Sequence, residues 1–205
     1  MIPAFIFFFQ KLYPFPWVNR SDCRTAAAAG GCILIRRDAL REAGDFPALR
    51  DALIDDCTLA ARIKQLNANG KIWLGLADAE VISLRDNRAL GSVWSMVRRT
   101  AFTQLRHSWL LLCGSTIGMA LMYLGPVFLI VVGVMSGELA HLFAGALASA
   151  LMCIAYWPTT ALYRLPWPWV LTLPLAAVLY MAMTIASAFA HLRGRGGAWK
   201  GRVYD

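Results

Sequence analysis

Three apolar stretches, residues 108–137, 139–163 and 165–190, carry no Asp, Glu, Lys or Arg, and His141 is their only histidine. Each is longer than the roughly 20 residues that cross a bilayer as a helix. This feature constrains the fold most, because a chain in lipid must satisfy its backbone polar groups internally. Three transmembrane helices are predicted. Trp109, Trp157, Trp167 and Trp169 lie near the segment ends, where indoles favour the lipid–water interface. Pro126, Pro158 and Pro174 are expected to kink these helices or end them early.

Charge divides the chain. Most of the 20 Lys and Arg and of the 12 Asp and Glu precede Trp109, and beyond it the only acids are Glu138 and Asp205. Charged residues make up 16% of the chain, against roughly 25% in soluble proteins. That excludes disorder and a purely soluble enzyme. The organisation expected is residues 1–108 as a small polar region with interfacial helices, 109–190 as membrane helices and 191–205 as a basic tail. The net charge of +8 comes from dispersed residues without aromatic interleaving, so membrane lipids or a phosphorylated substrate are expected as partners, and no nucleic acid. Cys23, Cys32, Cys57, Cys113 and Cys153 are odd in number and lack Cys-x-x-Cys spacing, which points to free thiols rather than disulfides or zinc.

The topology holds a conflict. Arg98, Arg99, Arg106 and Arg164 suit the cytoplasmic side if each apolar stretch crosses once, but three crossings put the basic tail outside. One stretch is then re-entrant or interfacial.

In the polar region, residues 2–9 are too short to span and read as a helix at the membrane surface or a buried strand, the helix being favoured. Residues 32–35 read as a short buried strand, 38–43 as a helix closed by Gly44, and 52–69 as a helix stopped by Gly70. Two β-like pieces follow at 72–76 and 80–84, then an amphipathic helix at 91–107.

Several residues have both a structural and a chemical reading. Asp55 and Asp56, at a helix start, can cap it, or one can act as a general base while the other balances charge. Gly30 and Gly31 form a plain turn or let the backbone approach a ligand. Arg36 and Arg37 make a solvated turn or a phosphate contact. Gln104 and Arg106 anchor the chain at the membrane or hold a leaving diphosphate. His107 reads as interfacial.

In the order AAAAGGCILIRRDALREAG, DALIDDCTLAARIKQLNANGKIWLGL, RRTAFTQLRHS and then apolar spans, the motifs resemble the membrane-bound family 2 glycosyltransferases, especially the hopene-associated type of bacterial hopanoid gene clusters. The resemblance starts at IPAFIFFFQKLYPFPWVN and covers nearly the whole chain. It implies an α/β fold: the C-terminal half of a nucleotide-diphospho-sugar transferase (GT-A-like) domain, followed by an all-α transmembrane region. It implies Asp56 as catalytic base with Asp55 beside it, and Gly30, Gly31, Gln104 and Arg106 as substrate-binding residues. The run Gln104-Leu105-Arg106-His107 is one residue shorter than the family's Gln/Arg-x-x-Arg-Trp, with His in place of Trp. A divalent metal, Mg or Mn, is expected in a full enzyme, but the Asp-x-Asp that would hold it is absent here. The nearest approximation, Asp78-Ala79-Glu80, lies downstream of the expected base.

The implied partners are a nucleotide-sugar donor and a lipid-like, hopanoid acceptor. The implied location is a bacterial inner membrane, with the polar region cytoplasmic. This chain alone is expected to be an inactive part of a longer enzyme. The alternative reading is a non-catalytic integral membrane anchor or assembly module.

Overall fold

A computed structural model describes residues 1–66, 71–77, 81, 83, 87 and 89–196. Among these residues every regular element is helical, so the expected α/β, GT-A-like half-domain is corrected to a helical fold. The physical reason is visible at the candidate strands. Residues 32–35 form no strand and lie mostly in solvent, with Leu34 100% exposed. Residues 72–76 are also irregular, and instead of a neighbouring strand they meet a side chain. The Asn19 amide donates to the Leu74 carbonyl at 3.0 Å and accepts from the Leu74 N–H at 2.7 Å, completing both backbone groups as a strand would. Residues 80, 82 and 84 of the last candidate strand, the proposed stop Gly70 and the Asp78-Ala79-Glu80 run lie outside the described residues.

The chain divides into two compact units, one of Met1–Phe7 with Asn87–Gly196 and one of Phe8–Asp86 with Gly197–Asp205. Helix α1 (Ile2–Leu12) begins in the first and ends in the second, so residues 2–9 are helical. The second unit continues with α2 (Phe15–Val18), α3 (Arg37–Glu42), a 3-10 turn (Phe46–Leu49) and α4 (Asp55–Leu66). Helix α3 ends where Gly44 turns left-handed at φ +94°, a conformation that favours glycine.

The irregular chain between these helices is held largely by side chains. The ammonium of Lys64, on α4, donates to the carbonyls of Trp17 at 3.2 Å, Val18 at 2.7 Å and Thr25 at 2.6 Å. Three N–H donors thus meet three acceptors that no sheet supplies. Partial burial there lowers the Lys64 pKa.

The first unit contains α5 (Leu90–Gln104), α6 (Trp109–Tyr123), α7 (Gly125–Ser136), α8 (Leu139–Leu162), a 3-10 turn (Trp167–Thr172) and α9 (Leu173–Leu192). Ser108 caps α6 by accepting from the Leu111 N–H at 3.3 Å. The apolar stretch 108–137 is not one helix: α6 and α7 meet at a 46° bend. Pro126 sits in the first turn of α7, where its missing N–H is tolerated and where it interrupts a continuous ladder. Helix α8 and the Trp167–Leu192 segment are long and apolar enough to span, with 24 and 26 residues. The chain is a multi-pass membrane protein with two such spans, or three if the bent pair is one. Large apolar side chains such as Leu110, Met135 and Leu139 point outward from these helices, as lipid-facing positions do.

Close backbone approach joins α7 to α8 after the left-handed turn at Gly137, φ +72°. A Cβ added at Gly145 would stand 2.8 Å from the Pro126 carbonyl oxygen and 2.8 Å from Ile130 atoms; one at Gly133 would stand 2.5 Å from the Leu142 nitrogen. Such small residues let membrane helices pack without a hydrophobic driving force. Phe7 packs edge-on against Tyr156 at 5.1 Å and Tyr123 at 6.4 Å between ring centres. The Tyr180 hydroxyl donates to the Met1 carbonyl at 3.2 Å. Gly145→Val is expected to force α7 from α8 and cost about 1–3 kcal/mol, read as a lower thermal midpoint in detergent. Ala146→Val, one position along the helix, serves as its control.

Candidate functional site

Asp55 and Asp56 open α4, and both carboxylates turn back onto the backbone. Asp55 Oδ1 accepts from the Asp56 N–H at 3.0 Å. Asp56 Oδ1 accepts from the Cys57 N–H at 2.7 Å, and its Oδ2 accepts from the Gly30 N–H at 2.7 Å. The structure therefore brings Asp56 and Gly30 together, across 26 positions of sequence. A side chain at residue 30 would crowd that contact, with its Cβ 3.1 Å from Asp56 Oδ2. Gly31, one residue on, faces open space. The geometry is that of a helix start tied to a loop: the carboxylate satisfies helix N–H groups and sits at the positive end of the helix dipole.

The neighbouring Cys57 thiol is half-buried and lies 3.7 Å from the Ala28 carbonyl. Burial pushes its pKa up to about 11, because the thiolate is poorly solvated there. Arg36 pairs with Asp38 across the start of α3, in solvent.

Gln104 and Arg106 belong to the other unit. Helix α5 ends at Gln104, and the next residues turn sharply: Arg106 and His107 both take left-handed backbone angles, φ 52° and 55°. Arg106 is exposed. His107 is turned inward, 3.2 Å from the Thr103 hydroxyl, and its ring stacks on that of His191 with centres 4.2 Å apart and planes 10° from parallel. Burial, and secondarily the nearby His191 imidazole, hold the His107 pKa below the ordinary histidine value. Phe102 packs against both imidazoles and against Trp109. Its backbone N–H lies 3.0 Å from the hydroxyl of Ser187, to which it donates. The end of α5 is thereby clasped to the end of α9.

Sequence reading missed this clasp, because its partners are 84 positions apart and His107 alone reads as interfacial. It also missed Lys64, whose sole signal was a cation on a helix followed by no obvious acid. Among the described residues no group of three or more His, Cys, Asp or Glu could hold a metal ion.

Two outcomes are expected. Asp56→Ala removes acceptors from two backbone N–H groups and should destabilise the polar unit by about 1–2 kcal/mol, read by thermal unfolding of purified protein. Cys57 carries about one thiolate in a thousand at pH 8, so iodoacetamide should label exposed Cys32 first and reach Cys57 only as pH approaches 11. Mass mapping of the labelled peptides checks this.

Comparison with curated proteins and with solved structures gives no significant match. A family profile described as glycosyl transferase family 21 matches residues 7–205. This corrects the family 2 resemblance and, with it, the hopene-associated type. The nucleotide-sugar donor and lipid-like, hopanoid acceptor expected on that resemblance are likewise withdrawn, since the described residues hold no sheet on which a GT-A-like catalytic site could be built. By the extent of this match the chain belongs to glycosyl transferase family 21.

Proposed function

We propose that this chain serves as a non-catalytic integral membrane anchor or assembly module. Two observations carry the reading: one unit is helical and outwardly apolar, and the described residues of the polar region hold no strand. Within it, Asp55, Asp56 and Gly30 hold the start of α4, Gly31 completes the adjoining turn, and Gln104 and Arg106 mark where α5 meets the head-group layer. The division at residues 108 and 190 describes how the chain is shared between that layer and lipid.

The clasp between His107 and His191 bears on topology. Groups 4.2 Å apart lie on one side of a bilayer, so the chain between them crosses an even number of times. Three full crossings do not meet that condition. Helices α6 and α7, of 15 and 12 residues, are each shorter than the roughly 20 a span needs. We infer that this bent pair enters the membrane without crossing it, while α8 and the Trp167–Leu192 segment cross. Arg98, Arg99 and Arg106 then share a side with Arg193 and Arg195, and Arg164 stands opposite. The positive-inside rule turns the shared basic side to the cytoplasm of a bacterial inner membrane.

Single cysteines at Arg106→Cys, Arg164→Cys and Arg195→Cys, in a cysteine-free chain, test this with an impermeant maleimide on sealed inverted vesicles. Positions 106 and 195 should label together and 164 only after the vesicles are opened. Labelling of 106 and 195 from opposite faces overturns the topology. Purified chain should release no nucleotide from nucleotide-sugar donors, and measurable donor hydrolysis overturns the non-catalytic reading.

A further inference from the structure

A half-open cavity of about 380 Å³ lies between α5 and the end of α9, lined by Trp94, Arg98, Ala186, Phe189, Ala190, Arg193 and Arg195. Its walls fall into two chemistries. Arg98, Arg193 and Arg195 are cationic and exposed, and no carboxylate is among the described lining residues. Trp94, Phe189 and two alanines are apolar, and Ala190 is buried.

We propose that this cavity binds an anionic phospholipid, with the phosphate on Arg98, Arg193 and Arg195 and the upper acyl chain against Trp94 and Phe189. A general basic attraction to the surface would need no cavity and no aromatic wall. Cations after a helix C-terminus do complement its dipole, but that accounts for Arg193 and Arg195 and leaves Arg98, on a different helix, unexplained. Guanidinium groups offer planar paired donors that match phosphate oxygens. The adjoining surface is apolar, and α9 is a membrane-spanning candidate that delivers the cavity to the depth where head groups meet chains. A soluble phosphate compound would use the cations and leave Trp94 and Phe189 idle; a lipid uses both walls. Net charge complementarity also favours an acidic head group over a zwitterionic one, whose own cation would face three arginines.

The inference rests on the membrane reading above, and its test reads a different quantity. The full chain is reconstituted in phosphatidylcholine vesicles containing a small fraction of brominated phosphatidylglycerol or, separately, brominated phosphatidylcholine. Bromine on an acyl chain quenches nearby tryptophan, and the part lost in Trp94→Phe reports this cavity. Phosphatidylglycerol should quench that part well beyond its share of the lipid. Arg98→Gln, Arg193→Gln and Arg195→Gln should each lower the preference about five-fold, with helix content unchanged by circular dichroism.

Equal quenching by the two lipids overturns the proposal, as does a preference that survives the triple Arg→Gln variant. Full displacement by millimolar inorganic phosphate would assign the cavity to a free anion and also overturns it. If positions 106 and 195 label from one face but quenching shows no preference, the cavity alone is wrong. Labelling from opposite faces removes the membrane reading itself.

Discussion

Every peptide N–H and C=O taken from water needs a partner, and this chain meets that demand in two ways. In the apolar half the partners lie one helical turn away, which is why the uncharged stretches can enter lipid at all. In the polar half, where no strand pairs with another among the described residues, side chains take over. Lys64 gathers three carbonyls, Asn19 completes Leu74, and Asp56 ties the first turn of α4 to Gly30. Each links segments distant in sequence, so the loops gain a fixed course without a sheet. The arrangement concentrates stability in a few polar side chains, and replacing one of them leaves more than one backbone group unpaired.

That division bears on function. A carboxylate pair at a helix start is chemically ambiguous, since the same placement suits a proton acceptor and a cap. Here both oxygens of Asp56 are engaged by backbone N–H groups, which favours the cap. Membership of glycosyl transferase family 21 fixes the chain's kinship, while the helical architecture of the described residues is what supports the proposed membrane role.

The spans were legible in the sequence because absence of charge over more than a bilayer's thickness has few other meanings. The break in the first stretch was partly legible, since Pro126 was marked as a point where a helix kinks or ends. Helices α4 and α5 showed in apolar periodicity and α3 in its closing Gly44, with the starts of all three shifted by one to three residues from those expected. The strands expected at 32–35 and 72–76 failed because short apolar runs are ambiguous by periodicity. Residues 30 and 56 were each singled out, but their pairing was not, because spacing along a chain says nothing of contacts closed by irregular loops. The stacking of His107 on His191 was invisible for the same reason, and the proposed topology is argued from it.

The clasp also orders assembly in time. Phe102 waits for Ser187, 85 positions later, and the Met1 carbonyl waits for Tyr180, 179 positions later. Contacts so distant along the chain form slowly and late. While the ribosome is still adding α9, the end of α5 stands without its companion, and Met1, just ahead of α1, lacks the hydroxyl that secures its carbonyl. A chain that stops short of Tyr180 leaves both unions unmade.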